Sequence, residues 1–547
     1  MKRRPDNTGH NSPRGIHIHA DETLSKDPET IAIDSPLRHM STVEALTNLT
    51  AVKHAKDIGK SGPSNAAGSR EANKDDADFN KYNVFFPRDG HVVAELIFDL
   101  HPELTRTTVI ASFEKMGVID NYTNPTKPFD EQEIGKIPHE IRSPDDPLAI
   151  NLTEKKNWGW PYYGAIDTTG KNIIAISRLV NHPDYGTDFL DETYKGRDDK
   201  THAVLHGLEQ NIAWLTGRMD KNPEGLVESL AKNPLHHANQ TWADSPEAFH
   251  HADGSWAEHH PESNLGVAAV EQQAEAYDAL LGAATIYETL GRTDEASVLR
   301  KRARKLQTVV LDKFWVTDKK HNGGYFARGT DRDTDGHLRP LAIRSSDMGH
   351  LLNSGILDDT DDPKQTNEIA HKRRAVIQNL FSPEMLCPSG IRTLSSDSLR
   401  YSDDRYHNGN SWPWTSYYIA KGLDRHGYHG LSHELKKRVW DNYNETKLLG
   451  EYASGSSDPD HRLINQKVTV HNESLTTDTE YPVSQPAQEI QAWTAAAIYA
   501  IKREYSNVVA RKLGGLYLNK SSVNLHTNTG NNKKTAFETA VLRTIRQ

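Results

Sequence analysis

The chain has 547 residues, 35% of them hydrophobic, and a formal net charge of −10. That length serves one large domain or two to four ordinary ones, and the acidic balance excludes a duplex-sized basic surface and with it a nucleic-acid partner. The single cysteine, Cys387, rules out an internal disulfide framework or a cysteine-based zinc site and fits a reducing, cytoplasmic setting.

The start, MKRRPDNTGHN, is basic but no apolar stretch follows it, so no cleaved secretory signal is expected. No apolar run reaches the length of a membrane span. Residues 1–78 read as a polar arm. Within it, STVEALTNLTAVKHAKDIGK (41–60) puts Val43, Leu46 and Leu49 on one helical face, and 61–76 is a Gly/Ser/Asn-rich linker. From 79 to 505 the pattern is mostly helical. Val270, Ala274, Tyr277, Leu281 and Ala284 recur at steps of four and three, Gly291 supplies a stop, and TDEASVLRKRARKLQTVVLDKFW restarts at once, which makes a helical hairpin. Similar patterns occur near 91–118, 163–182, 202–218, 346–355, 364–381, 414–427, 430–445 and 487–505. Strand-like stretches such as KNIIAIS and KVTVHN are few and short, and 506–547 is a polar C-terminal extension. Helix pairs joined by long loops suggest an all-α closed toroid whose loops build a site at one end. Helix number alone also allows an α-solenoid, but a solenoid reuses short turns, whereas these connections carry distinct sequences.

Residues 236–258, HHANQTWADSPEAFHHADGSWAE, gather two Trp, two Asp and four His. Such a mixture suits a sugar, whose faces stack on indoles and whose hydroxyls take many hydrogen bonds. Glycoside hydrolysis also needs two carboxyl groups, one to protonate the leaving oxygen and one to activate water or attack the anomeric carbon. Aromatic-rich loops bearing carboxylates are the expected signature. Five such loops appear: NVFFPRDG (83–90), NWGWPYYGAIDTT (157–169), NQTWADS (239–245), RYHNGNSWPW (405–414) and QEIQAW (488–493), the last preceded by VTVHNESL (468–475).

In order and wording these loops resemble the amylo-α-1,6-glucosidase part of glycogen debranching enzymes and related (α/α)6-barrel inverting glycosidases. EIGKIPHEIR (133–142), YYGAIDTT, NQTWADS, VEQQAEAYDAL (270–280), GIRTLSSDSLRYSDDRYHNGNSWPW (390–414) and QAWTAAAIYAI (491–501) carry the likeness, which covers roughly 80–505. It implies an (α/α)6 toroid and hydrolysis of an α-glucosidic bond with inversion, without a cofactor. It also makes Asp244 the general acid, with a carboxyl raised by burial or nearby negative charge. Asp253 in HADGSW is the rival acid, although Asp-Gly reads more simply as a turn, and Asp244 has the alternative role of a helix cap before SPEAF. For the base, Glu473, Glu480 and Glu489 compete, with Glu473 nearest the family spacing. The acid and base carboxyls of an inverting enzyme are expected ~6.5–9.5 Å apart.

The same resemblance gives Arg88 and Asp89 the hydroxyls of the non-reducing sugar, with Asp167 and Gln240 in the substrate-binding set. Trp158, Trp160, Tyr163, Trp242 and Trp412 become stacking platforms, each equally readable as core. His407 and Asn408 bond sugar or position water, and Gln491 and Trp493 close the subsite. Glu271 and Gln272 begin a helix, where cap and ligand roles compete. The chain lacks room for a preceding transferase barrel, so a small α-glucoside or a pre-trimmed branch is the expected substrate. A phosphorylase would need a phosphate nest where 468–490 is acidic, and a sugar-binding scaffold would lack the base. The histidine pairs at 236–237, 250–251 and 259–260 point apart on a helix or a strand, which disfavours a metal site. IHIHAD (16–21) would need a β/α barrel to act as a metal motif, and no alternating βα pattern follows.

Overall fold

The computed structural model describes residues 68–69 and 84–505, apart from 122–130, 144, 232, 261–262, 264, 447, 461–466, 475–476 and 487–489; for 68–69 and 467–490 it describes backbone only. The chain divides into two units, residues 1–45 with 501–547 and residues 46–500. The expected helix at 41–60, the linker, IHIHAD and the C-terminal extension lie outside the described residues.

In the second unit the helices are α1 (Pro87–Leu96), α2 (Pro102–Glu114), α3 (Pro147–Lys156), α4 (Thr168–Val180), α5 (Val204–Asp220), α6 (Val270–Thr289), α7 (Thr293–Lys313), α8 (Asp347–His350), α9 (Pro363–Leu380), α10 (Pro413–Arg425), α11 (His429–Thr446) and α12, from residue 492. Five of them begin with Pro at the first helical position, where a missing N–H costs nothing. Two of the five add an aspartate cap: Asp146 accepts from Leu148 N and Ala149 N, and Asp362 accepts from Lys364 N. Gly291, at φ 75°, makes the left-handed turn between α6 and α7 that its place in the sequence predicts.

Contacts sort the helices into two rings. An inner ring runs α1–α4–α6–α8–α10, and α2, α5, α7, α9 and α11 each pack outside the inner helix that precedes them. The ring closes through α12: Trp493 stacks on Trp414 of α10, and Tyr499 Oη lies 3.0 Å from His101 Nε2 just after α1. This is the (α/α)6 toroid. Ring position explains the burial patterns. Outer α7 buries one stripe (Ala296, Leu299, Ala303, Leu306 and Val310), whereas inner α6 also buries Ala276, Ala279, Ala283 and Ile286 on its far side, because neighbours cover it all round. KNIIAIS, strand-like in its β-branched content, lies within α4 for the same reason. KVTVHN begins a true strand, Lys467–Ser474, paired antiparallel with Thr477–Pro486. Among the described residues no helix is long and apolar enough to cross a membrane.

Candidate active site

The starts of the inner helices converge. Arg88 and Asp89 open α1, Asp167 precedes α4, Glu271 and Gln272 open α6, Asp347 opens α8, Trp412 and Trp414 flank the start of α10, and Gln491 and Trp493 flank that of α12. Arg88 joins α1 to α4 by donating from Nε to Asp167 Oδ2 at 2.5 Å. Gln272 Nε2 donates to Ile166 O at 3.3 Å, and Trp242 Nε1 donates to Asp347 Oδ1 at 2.9 Å. Helix N-termini gathered at one mouth supply partial positive charge, a setting suited to carboxylates.

Asp244 sits in this mouth with its side chain 23% exposed, open on one side. Arg88 NH1 donates to its Oδ2 at 3.3 Å, and His139 Nε2 lies 3.5 Å from the same oxygen. Burial raises the carboxyl, but the His139 hydrogen bond and the charges of His237 and Arg88 outweigh it, so Asp244 is held below the usual carboxylate range. This corrects the expectation of a raised acid: burial is present, but the flanking groups are cationic or donors rather than negative. His237 is itself pushed down to about 3, chiefly by burial. The carboxyl held high is Asp89, where burial dominates, Arg88 opposes it, and Glu451, Asp244 and Asp167 add to it.

The loop behind Asp244 is pinned from two sides. His407 Nδ1 lies 2.8 Å from Ser245 Oγ, and its ring stacks on Trp412 at 5.4 Å. Asn408 Nδ2 donates to Glu247 O at 2.5 Å while Arg328 NH1 donates to Asn408 Oδ1 at 2.8 Å, so Asn408 locks loops together and its amide is already engaged. Arg328 continues to Asp347 at 2.8 Å. Gln240 donates from Nε2 to buried Glu131 at 3.2 Å, and its carbonyl accepts from Arg88 NH2 at 3.3 Å. Asp253 is a turn residue: its Oδ1 accepts from Ser255 N and Oγ, and Gly254 follows at φ 86°. Asp244 caps no helix; Ser245 stands at the N-cap of the short turn that follows.

Trp242 is the aromatic hub, meeting His407, Trp412 and Trp414 edge-on at 5.2–5.6 Å, with Trp493 beyond. Three expected platforms are used elsewhere. Trp158 stacks on Tyr162 at 3.7 Å; Trp160 Nε1 donates to Thr153 Oγ1 at 3.0 Å; Tyr163 Oη donates to Lys115 O at 2.7 Å and accepts from Arg197 NH1 at 2.6 Å. Pairing with these neighbours turns Trp158 and Tyr163 into fully packed wall.

The side chains of Glu473 and Glu480 and the whole of Glu489 lie outside the described residues; the backbone register sets Glu473 opposite Glu480. A carboxylate that sequence reasoning passed over stands in the described wall. Glu451 is buried, and Tyr406 Oη donates to its Oε1 at 2.5 Å. Its segment is clamped by Ser411, through paired bonds with Ala453 at 2.9 and 2.7 Å, by Gln491 just before α12, whose N donates to Leu449 O at 2.9 Å, and by Thr494 in α12, whose Oγ1 donates to Gly450 O at 2.9 Å. Its charge reaches Asp89, which Asp244 also reaches. Asp89 therefore feels both carboxylates. His139 and His237 were missed too, although IPHEIR and HHANQTWADS were both singled out. Among the described residues only Asp333, Asp335 and His337 come together as metal ligands do, far along the chain from the histidine pairs and largely exposed.

A family model described as the mannosylglycerate hydrolase MGH1-like glycoside hydrolase domain matches residues 132–458. The structure resembles the crystal structure of GH63 mannosylglycerate hydrolase from Thermus thermophilus in complex with Tris and D-glycerate, at 13% identity and TM-score 0.51 over 85% of this chain and 98% of that one. It resembles the same enzyme's complex with Tris at 12% identity and TM-score 0.50 over 85% and 99%, and its complex with glucose at 13% and 0.50 over 84% and 98%. A comparison with curated proteins gives no match.

Proposed function

The chain belongs to the mannosylglycerate hydrolase MGH1-like glycoside hydrolase domain family, and from that membership we propose that it hydrolyses an α-glycosidic bond in a small glycoside with inversion. Asp244 protonates the departing oxygen. Glu451 takes a proton from the attacking water, replacing Glu473, the sequence-based choice, because Glu451 is a buried carboxylate held by Tyr406 and clamped on both flanks in the wall of the same mouth. The observation that carries the reading is Asp89, a buried carboxyl within electrostatic reach of both Asp244 and Glu451. It makes a hook for sugar hydroxyls near both the acid and the base, and Arg88 fixes one edge of that subsite. A hydroxyl of inverted configuration would leave these buried groups unpaired, which is the physical basis of sugar selectivity.

The debranching-enzyme branch of the resemblance gives way here to a smaller substrate. His139 and His237 flank Asp244, the group proposed to protonate the leaving oxygen, and His139 Nδ1 is buried without a hydrogen-bond partner among the described residues. Imidazole hydrogen-bond donors beside the acid favour an aglycone bearing a carboxylate, such as glycerate, over a neutral glucan. A hydrolysis panel of glucosylglycerate, mannosylglycerate, isomaltose and a branched limit dextrin tests this. Turnover of a glycosylglycerate well above isomaltose is the expected result; turnover of the dextrin alone overturns the acidic aglycone.

A further inference from the structure

Among the inner helices lies a second space of about 30 Å³, room for a small ion with a water. Four carboxyls line it: Glu95 from α1 and Glu271, Glu275 and Asp278 from α6. The last three are spaced i, i+4, i+7, one face of a helix, where like charges repel. Lys171 and Arg178 of α4 are the basic side chains lining the same space, and both are taken: Arg178 NH2 donates to Glu95 Oε1 at 2.6 Å, and Lys171 Nζ donates to Glu275 Oε1. Asp278 accepts from Gly355 N at 3.0 Å. Among the described residues, both oxygens of Glu271, the second oxygen of Glu275 and Nε2 of His350 have no hydrogen-bond partner on another residue, and Glu271 is 2% exposed.

We propose that this cavity binds a monovalent metal cation of potassium size. The lining offers acceptors and excess negative charge, and neither lining cation pairs with Glu271. A divalent ion is the poorer fit: it demands a tight cage of oxygens, and among the described residues no three carboxylate or imidazole groups of this cavity lie within 4.8 Å of one another. A potassium-sized ion accepts longer bonds and completes its shell with Ser354, Asn353, Tyr418 and water, the three residues lining the same space. Protons compete with it. Burial raises Glu275 and Asp278 to about 7, with Lys171 opposing at Glu275 and the Gly355 N–H opposing at Asp278, and it raises Glu271 well above the ordinary carboxylate range, with Asp347 and Glu275 adding to burial and its own backbone N–H and Arg328 opposing. Burial pushes the facing His350 imidazole down to about 4, which keeps it neutral. The cation is therefore held more tightly at pH 8 than at pH 6. This inference stands independently of the hydrolysis reading.

The test is thermal melting of the full chain at pH 8 in potassium, sodium or choline chloride at equal ionic strength, with wild type and Glu271→Gln. The expected result is a midpoint several degrees higher in potassium than in choline chloride for wild type, and no such difference for Glu271→Gln. Thallium(I)-soaked crystals of wild type give a second readout, an anomalous peak in the cavity, which does not depend on the variant folding. Equal midpoints in all three salts, together with no thallium peak there, would overturn the site in favour of a proton held on Glu271.

Discussion

Asp244, half-buried at the barrel mouth, and Glu271, buried in the barrel core, are both acids taken largely out of water, yet their surroundings drive them in opposite directions. Asp244 has Arg88 and His139 within 3.5 Å and is held ionised. Glu271 has no partner on another residue at either oxygen among the described residues and is pushed toward its neutral form. Burial acts the same way on both, so what separates them is which groups stand across from them. A mouth that keeps Asp244 charged can bind and polarise a sugar; a core that leaves a carboxylate unpaired needs a proton or an ion.

Breaking the mouth has the largest expected effect. Asp244→Asn and Glu451→Gln should each lower kcat by about 10²–10⁴-fold or more without loss of helical circular dichroism. If Glu451→Gln keeps its rate while Glu473→Gln loses it, the base belongs on the hairpin. Arg88→Met comes next. It strands Asp167 and Asp244 without their shared cation, and breaking a buried pair costs about 3–5 kcal/mol, readable by urea denaturation. The contrast in charge state sets a pH signature. A general acid must carry its proton, and a carboxyl held low carries it only in acid, so hydrolysis should rise as pH falls below neutrality until the base protonates. His139→Phe removes one of the groups holding Asp244 down and should move the alkaline limb of the rate profile to higher pH; an unmoved limb assigns His139 to packing alone. The smallest effect belongs to Asp253→Asn, an exposed turn change expected to stay within about 0.5 kcal/mol and to leave the rate intact.

The helical periodicity, the α6–Gly291–α7 hairpin and the loops of the mouth were legible in the sequence, because each is a local pattern. Arg88, Asp89, Gln240, Trp242 and Asp244 meet as the loop motifs suggest. The charge state of Asp244 was not legible, since it depends on His139, distant in the chain and joined to it only by the fold. Glu451 was overlooked for a related reason: GEYAS carries no aromatic-rich loop, and its importance comes from strands and helices that clamp it from distant positions. Trp158 and Tyr163 look like sugar platforms in NWGWPYYG, and only their stacking and hydrogen-bond partners reveal them as wall.

The central claim is single-displacement hydrolysis by Asp244 and Glu451. Proton NMR of the sugar released in the first minutes from an α-linked glycosylglycerate tests it most directly. The β-anomer appearing first, and vanishing with Glu451→Gln, is the result this account predicts. The α-anomer appearing first would mean double displacement and would contradict it.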